Sequence, residues 1–214
     1  KEIAYENIKQ QIIEGNLKPG IWLREQDLAD VMEISRAPIR EAFNQLVKEG
    51  FIEMIPRKGA RVVSLTEKEI ADIFEIRENL ELFALRKSWN RISNDRLVQI
   101  TEKFKQYKNK SITKSNRQKY LALDKEFHNL WVSNCDNNML IKILSDIQEK
   151  VHWLRGFSLG NYSFNTSIEE HLTIIRAIEL KDEKLVAINL IKHLRRAKKS
   201  IIKEIKSGNM DNFP

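Results

Sequence analysis

Asp124 and His128 stand four residues apart in the stretch "LDKEFHNLW", a spacing that places both side chains on one face of a helix. His171 and His193 lie further along the chain, each in a stretch rich in apolar residues. One carboxylate and three imidazoles form a suitable ligand set for zinc, nickel or a similar divalent ion. An Asp–His pair at this spacing is also common on helix surfaces, so spacing alone leaves a purely structural role open.

A second group of polar side chains lies near the N-terminus, in the stretch "ISRAPIREAFNQLVKEG". At 3.6 residues per turn its apolar residues share one helix face: Ile39, Phe43, Leu46 and Val47. Arg36, Arg40 and Asn44 then line the opposite face. Guanidinium groups there can contact DNA phosphates or bind the edge of a guanine in two places. The pattern predicts a DNA-recognition helix, with pairing to Glu33 or Glu41 as the alternative role for the arginines.

The elements around this helix support the DNA-binding interpretation. We expect helices near residues 3–13 and 25–32, with Leu28 and Val31 of the second pointing inward, and a third helix capped by Ser35 that stops at Gly50. The stretches "FIEMI" and "ARVVSL" indicate two strands. Arg57, Lys58 and Gly59 form the basic tip of this hairpin, which can lie along the DNA backbone or in the minor groove.

The rest of the chain is predicted to be helical. Thr66 and Glu69 form a capping-box pattern at its start, and Thr166 and Glu169 repeat that pattern later. The helices are expected near residues 67–88, 94–108, 116–134, 138–158, 167–180 and 183–206. We therefore expect residues 67–214 to form an all-helical bundle, preceded by a small domain of residues 1–66 with three helices and a two-strand β hairpin.

Composition narrows the class of protein. The 214 residues are 42% hydrophobic and 31% charged, and no apolar run is long enough to cross a bilayer. Cys135 is the single cysteine and has no internal partner for a disulfide, so a cytoplasmic location is expected. The formal net charge of +7 arises outside the N-terminal domain, because residues 1–66 hold ten basic and ten acidic side chains. Net charge alone is therefore no argument for DNA binding.

The N-terminal stretch "LKPGIWLREQDLADVMEISRAPIREAFNQLVKEGFIE" resembles the winged helix-turn-helix of GntR-family bacterial transcription regulators. The similar elements are the "LKPG" turn, "DLA" in the second helix, "SRAPIREA" in the third and "LVKEG" before the wing. The resemblance implies that the DNA contacts are Ser35, Arg36, Ala37, Arg40, Lys58 and Gly59. Ala37 stands where the family often carries a hydroxyl residue, and Gln26 where some members carry an arginine.

The helical part is similar to the FCD effector domain of the FadR-like branch of that family. The stretches "EIRENLE", "DKEFH", "EEHLTIIRAI" and "HL" carry this resemblance over about residues 70–200. In many such domains an Asp and three His bind a metal inside the bundle, and a small carboxylate ligand completes its coordination. The resemblance implies these roles for Asp124, His128, His171 and His193. The divalent ion is expected to be zinc or nickel.

Two arginines are candidates for binding the effector. Arg77 aligns with an arginine that commonly faces the same cavity, and a guanidinium can hold a carboxylate through two hydrogen bonds. The alternative for Arg77 is a salt bridge with Glu81, its neighbour one turn along the helix. Arg155 is a second candidate.

The expected function is that of a transcription regulator, and not of an enzyme. It would bind pseudo-palindromic operator DNA as a homodimer joined by its helical domains, and a small organic acid would change its DNA affinity. Two alternatives remain from the residues alone. A metal held by Asp and His can activate water for hydrolysis, or the protein can be an architectural DNA-binding protein without an effector.

Overall fold

The computed structural model describes residues 2–111, 113–158 and 161–207. The chain divides after Thr66 into two compact units, a small one at the N-terminus and a larger helical one of residues 67–206. Within the described parts of the chain, no helix has the length and apolar character needed to span a membrane. The two units are described separately below.

The N-terminal unit is a winged helix-turn-helix. Its elements, in chain order, are α1 (Glu2–Ile13), β1 (Trp22–Leu23), α2 (Glu25–Val31), α3 (Arg36–Glu49), β2 (Ile52–Ile55) and β3 (Gly59–Val62). The sheet is antiparallel in the order β1-β3-β2, with Trp22 opposite Arg61. The sequence predicted only two strands. The third, β1, has two residues, which is too short to show the alternation by which strands are recognised.

Helix α3 forms as its sequence predicts. Ile39, Phe43 and Leu46 are buried against the rest of the unit. Gly50 ends the helix in the left-handed conformation at φ 74°, where glycine carries no steric penalty. Ser35 occupies the N-cap position with extended backbone, but its side chain makes no capping hydrogen bond.

Helix α2 differs from the prediction in the face that it buries. Val31 is 77% exposed, and Ala29 is buried in its place. The helix has only seven residues, so its apolar pattern covers two turns and does not define one face.

The larger unit is entirely helical over its described residues. After α4 (Glu67–Ser88) and a short 3-10 turn (Trp89–Arg91) come α5 (Asn94–Lys105), α6 (Lys114–Val132), α7 (Asn138–Ser158), α8 (Asn161–Glu179) and α9 (Glu183–Lys206). Helix α4 packs on α6, α7 and α9, while α8 packs on α5 and α9. The helices α4, α6, α8 and α9 therefore meet in the interior of the bundle.

Two helices start earlier than the sequence predicts. Helix α6 starts at Lys114, because the hydroxyl of Thr113 accepts a hydrogen bond from the Asn116 backbone N–H and closes a capping box with that residue. Helix α8 starts at Asn161, so Thr166 and Glu169 lie inside the helix and not at its cap. The break predicted at "GNYSFN", residues 160–165, is therefore wrong from Asn161 onward, while Gly160 lies outside the described residues.

The early start of α8 follows from its buried face. Phe164, Ile168, His171 and Ile175 recur at helical spacing and are all at most 2% exposed. The ring of Phe164 packs edge-on against Tyr120, with 4.7 Å between ring centroids. Because this contact adds apolar burial upstream of Thr166, tertiary packing outweighs the local capping pattern.

Candidate metal centre and nucleic-acid interface

The bundle interior brings the four predicted metal ligands together. Asp124 and His128 project from successive turns of α6, His171 from α8 and His193 from α9. One donor atom from each residue lies within 4.8 Å of the donor atoms of the other three, and all four residues are buried. Residues separated by up to 69 positions in the sequence thus converge on a volume suited to one ion.

His171 is in direct contact with two of the other ligands. Its Nε2 lies 3.2 Å from Oδ1 of Asp124 and 3.2 Å from Nε2 of His193. Its Nδ1 faces away and is 3.3 Å from the hydroxyl of Tyr120. The Nε2 atom of His171 therefore points to the same place as the other donors.

The protonation states suit metal binding. Burial lowers the pKa of His171 to about 4, and burial next to His171 and His128 holds the pKa of His193 well below its usual value. Burial alone would raise the pKa of Asp124, but the charge of Arg155 and the hydrogen bond from His171 outweigh it and keep that pKa well below the usual range. At neutral pH the site thus offers the neutral imidazoles of His171 and His193 and the ionised carboxylate of Asp124, which are the forms that ligate metals.

His128 supplies the strongest sign that a metal fits. Its Nδ1 is 2.7 Å from Oε2 of the buried Glu81, while its Nε2 is buried without a hydrogen-bond partner among the described residues. A carboxylate accepts from N–H, so the proton belongs on Nδ1 and a lone pair remains on Nε2. A buried polar atom without a partner costs free energy, and a metal ion bound at Nε2 would remove that cost.

The two predicted effector arginines have different partners: Arg155 contacts a predicted metal ligand, whereas Arg77 contacts Glu81. Arg155 Nη1 donates directly to Asp124 Oδ1, and its Nη2 donates to Ser167 Oγ at 3.1 Å. Arg77 Nε donates to Glu81 Oε1 at 2.6 Å, so the salt bridge given as its alternative role is present. Nη1 of Arg77 is buried and has no hydrogen-bond partner among the described residues. An effector role for Arg77 remains a prediction that would use this atom.

Aromatic side chains surround the ligands. The ring centroids of Phe127 and Phe104 lie 4.5 Å and 4.7 Å from that of His171. Trp131 is fully buried and donates from Nε1 to Glu81 Oε2 at 3.2 Å. This apolar lining lowers the local dielectric constant, which strengthens interactions between charged groups in the site.

Sequence reasoning did not identify two carboxylates next to the ligands. Glu81 appeared there only as a partner for Arg77, and Glu170 had no assigned role, although its Oε2 lies 2.8 Å from Nδ1 of His193. Glu81 and His128 lie on different helices, as do Glu170 and His193. Neither pair has a fixed sequence spacing, so no local signal could have revealed it.

The predicted DNA-binding residues lie on exposed surface of the N-terminal unit. Five of them follow the start and outer face of α3: Ser35, Arg36, Ala37, Arg40 and Asn44. The other three lie at the tip of the hairpin: Arg57 and Lys58 are in the turn, and Gly59 is the first residue of β3. The side chains of Arg36 and Arg40 are 56% and 60% exposed, so both guanidinium groups are accessible to DNA.

The arginines of α3 pair with a carboxylate that the sequence analysis did not name. Glu25, at the start of α2, accepts from Arg40 Nε at 3.0 Å and from Arg40 Nη2 at 2.9 Å, and it also accepts from Arg36 Nη2 at 3.2 Å. These hydrogen bonds, those from Arg40 first, lower the pKa of Glu25. An exposed pair of this kind contributes little to stability, so DNA phosphates can compete for both guanidinium groups.

The tip of the wing depends on left-handed backbone. Arg57 and Gly59 have φ values of 65° and 105°, and Lys58 N–H donates to the Ile55 carbonyl at 3.0 Å. Glycine adopts such a φ without strain. The turn thus presents Arg57 and Lys58 outward at the end of the hairpin.

Comparison with known proteins assigns the family. Residues 1–62 match the family model of bacterial regulatory proteins of the gntR family, and residues 72–196 match that of the FCD domain. The chain belongs to the GntR family of regulators and carries an FCD domain. This GntR–FCD regulator thus has the architecture that its sequence predicted, a winged helix-turn-helix followed by a helical FCD domain.

Its relatives include several transcription regulators. The GntR–FCD regulator is 29% identical over 191 residues to the HTH-type transcriptional regulator YdhC of Bacillus subtilis, covering 88% of this chain and 85% of that one. It is 24% identical over 210 residues to the transcriptional repressor RspR of Escherichia coli, covering 98% and 91% of the two chains. The gluconate operon transcriptional repressor of B. subtilis is 28% identical over 194 residues, covering 88% and 79%.

Solved structures share the fold. E. coli McbR/YncC superposes with a TM-score of 0.77 at 19% identity, covering 94% of this chain and 96% of that one. The metal-free FCD domain of TM0439 superposes with a TM-score of 0.59 at 22% identity, covering 67% and 99%. The family models and the sequence relatives are of transcription regulators and not of enzymes, so the chain is assigned to the transcription regulators and the hydrolase alternative is set aside.

Proposed function

We propose that the protein is a transcription regulator whose operator affinity is set by a small carboxylate bound at a metal ion in the FCD domain. The observation that carries this proposal is the buried set of four donor atoms within 4.8 Å of one another. Three of these residues are histidines, and the Nε2 atom of His128 is buried without a hydrogen-bond partner within the part of the chain that the structure describes. Four buried polar residues of this kind are costly in a helical core unless they bind something.

The donor set favours zinc or nickel. Three imidazole nitrogens and one carboxylate oxygen suit both ions. Because these four ligands complete a tetrahedral set, the carboxylate of an effector would bind the ion as a further ligand. Asp124, His128, His171 and His193 would hold the ion. When bound, the ion would act as a Lewis acid that attracts an anionic oxygen of the effector.

The effector proposed is a small organic acid. Arg155 contacts the ligand Asp124, so its guanidinium is close enough to the ion to bind a carboxylate that coordinates it. Arg77 Nη1 is a second buried donor in the same bundle. These two guanidinium groups would supply the positive charge that binds an anionic effector.

The N-terminal domain would bind the operator through α3 and the wing. Arg36, Arg40 and Asn44 on the exposed face of α3 can contact base edges and phosphates, and the Ser35 hydroxyl, which caps no backbone group, can bind a phosphate. Lys58 at the wing tip would contact the backbone beside the major groove. These roles rest on their exposure and chemistry together with the family assignment.

The operator is proposed to be a pseudo-palindrome bound by a homodimer. Helices α4 and α9 pack together and leave large apolar side chains exposed, including Ile76, Phe83 and Ile188. An isologous interface formed by this face in two copies would cover these side chains and relate two DNA-binding domains by a two-fold axis. Such symmetry matches two half-sites of one operator.

Metal content is the direct test of the proposed site. The protein, purified without a metal-affinity tag, is analysed by elemental mass spectrometry beside the double variant Asp124→Ala/His128→Ala. We expect about one divalent ion per chain in the wild type and a loss of that ion in the variant. Equal metal content in the two proteins, or none in the wild type, would contradict the proposal.

A further inference from the structure

Two of the four ligands have a glutamate on the side of the ring that faces away from the ion. The Nδ1 atom of His128 is 2.7 Å from Glu81 Oε2, and Nδ1 of His193 is 2.8 Å from Glu170 Oε2. The other nitrogen of His193, Nε2, contacts His171 Nε2 at 3.2 Å, and Nε2 of His128 is buried without a hydrogen-bond partner among the described residues, which leaves it as the donor of that ring. The two imidazoles thus have the same orientation, with a carboxylate at Nδ1 and the ion position at Nε2.

Each glutamate is in turn held by an arginine. Arg77 Nε donates to Glu81 Oε1, and Arg196 Nε donates to Glu170 Oε1, both at 2.6 Å. In both cases the arginine binds one carboxylate oxygen and the histidine contacts the other. The bundle therefore contains two Arg–Glu–His chains, one from α4 to α6 and one from α9 through α8 back to α9.

The chemistry of the pair fixes the tautomer of the ring. A glutamate carboxylate can only accept, so in the neutral form of each ring the proton lies on Nδ1 and the lone pair on Nε2. A carboxylate at this position also makes the ring a stronger donor to a metal and fixes its rotation. The fixed carboxylates therefore present both Nε2 lone pairs to the same point before any ion binds.

We infer that Glu81 and Glu170 are positioning residues of the metal site, each aligning one histidine ligand and each held in place by an arginine. The inference rests on the proposed metal binding and adds residues that do not touch the ion. It gives Arg77 a task that is separate from effector binding, because its Nε atom anchors Glu81 while its Nη1 atom remains available.

The burial of Glu81 supports a positioning role over a simple ion pair. Its side chain is fully buried and accepts from three groups, Arg77, His128 and Trp131. An ion pair between Arg77 and Glu81 alone would not require the contacts with His128 and Trp131. Burying such a pair would also cost desolvation free energy. The two further donors fix the direction of the carboxylate towards His128.

Metal affinity tests the inference. Zn²⁺ affinity of the full chain is measured by competition with a chromophoric chelator for the wild type, Glu81→Gln and Glu170→Gln. Each variant keeps the shape of the side chain and removes its charge. Because the amide can present either its N–H or its oxygen to Nδ1, the ring no longer prefers the Nδ1–H tautomer. We expect a 10- to 100-fold loss of affinity in each.

Matched controls are available on the same helices. Glu78 of α4 pairs with the exposed Arg195, and Glu169 of α8, next to Glu170, pairs with Lys108. Glu78→Gln removes the same charge one helix turn before Glu81, and Glu169→Gln removes it one residue before Glu170. Both controls should keep a Zn²⁺ affinity within about two-fold of the wild type. If Glu81→Gln fails to fold, the comparison of Glu170→Gln with Glu169→Gln still tests the inference, because Glu170 is partly exposed.

Histidine tautomers provide a readout that a purely structural role would not change. The chain has four histidines, so nitrogen-15 long-range correlation spectra of the metal-free protein can assign each ring. We expect His128 and His193 as Nδ1–H tautomers in the wild type, and a loss of that preference for His193 in Glu170→Gln. The Glu169→Gln spectrum should match that of the wild type.

The outcomes separate this inference from the proposed function. Zn²⁺ binding by the wild type with unchanged affinity and tautomers in the Glu81 and Glu170 variants would overturn the positioning role and leave the metal site intact. A wild-type protein that binds no Zn²⁺ would overturn the metal site and the inference together.

Discussion

At the residue scale, the proposed function depends on polar side chains of types that usually lie on the surface. Asp124, Arg155 and the ligand histidines are buried in the bundle, where each needs a partner to offset its lost hydration. The structure provides these partners in pairs, and the Nε2 atom of His128 remains without one among the described residues. Burying these residues thus lowers the stability of the fold, and the proposed binding site is the reason to retain them.

Removing one ligand should affect metal and stability together. We expect His171→Ala to lower the bound zinc and, in the presence of zinc, the melting temperature, because an ion bound only to the folded state stabilises it by about 2.7 kcal/mol at 100 times its Kd. His152→Ala, a change outside the ligand set, should retain the metal. Wild-type metal content in His171→Ala would remove that residue from the site.

The metal-free protein should lose stability as the pH falls below about 6.5. Burial lowers the pKa of His152 and of His171 from 6.5 to about 4. Between these values the unfolded chain binds protons that the folded chain does not, so the free energy of unfolding decreases as pH decreases. Urea midpoints measured with chelator from pH 7 to pH 5 should fall, and less steeply in His152→Gln. A midpoint that is constant over this range would contradict the assigned pKa shifts.

Arg40 is the residue of α3 from which we expect the largest effect on DNA. Arg40→Ala should weaken operator binding by roughly one to two orders of magnitude if the guanidinium reads a base, with an unchanged melting temperature. Fluorescence anisotropy measures this affinity, and Arg86→Ala, which removes an exposed arginine of α4, controls for net charge. Equal affinity in wild type and Arg40→Ala would place Arg40 outside the interface.

At the element scale, the sequence predicts most of the helices. The start of α8 is an exception, because tertiary packing extends that helix upstream of its predicted start. Helix α3 follows its apolar period and its terminal glycine. Helix α8 begins upstream of its Thr166 capping pattern, because Phe164 packs on Tyr120, and no single-sequence pattern contains that contact. For the same reason Glu170 and Glu25 could not be foreseen, since each acts on residues of a neighbouring helix.

The wing supplies a prediction at this scale. Gly59 has a φ of 105° with nothing within 4 Å of the position of an added Cβ, so a substitution there is strained by the backbone and not by a clash. Gly59→Ala should destabilise the N-terminal unit by roughly 1 to 2 kcal/mol and weaken DNA binding without a change in charge. Thermal denaturation checks the first effect, and a melting temperature equal to that of the wild type would contradict the strain.

At the scale of the whole molecule, the two units have separate chemistry that regulation must connect. The N-terminal unit exposes arginines that we propose bind DNA, and the FCD domain encloses a polar cluster that we propose binds an ion and an anion. An effector changes DNA affinity only as far as it binds two arrangements of the dimer with different affinities. The family assignment establishes the two parts, and their coupling is the central claim of the proposed function.

That coupling is tested most directly by DNA affinity measured in different states of the metal site. A duplex enriched from a random pool is titrated with metal-free protein, zinc-loaded protein and zinc-loaded protein with a panel of small carboxylic acids, in parallel with Asp124→Ala/His128→Ala. We predict that at least one acid changes the Kd of the wild type about five-fold or more and leaves the variant unchanged. The same Kd in every state of the wild type would contradict the account and indicate an architectural DNA-binding protein without an effector.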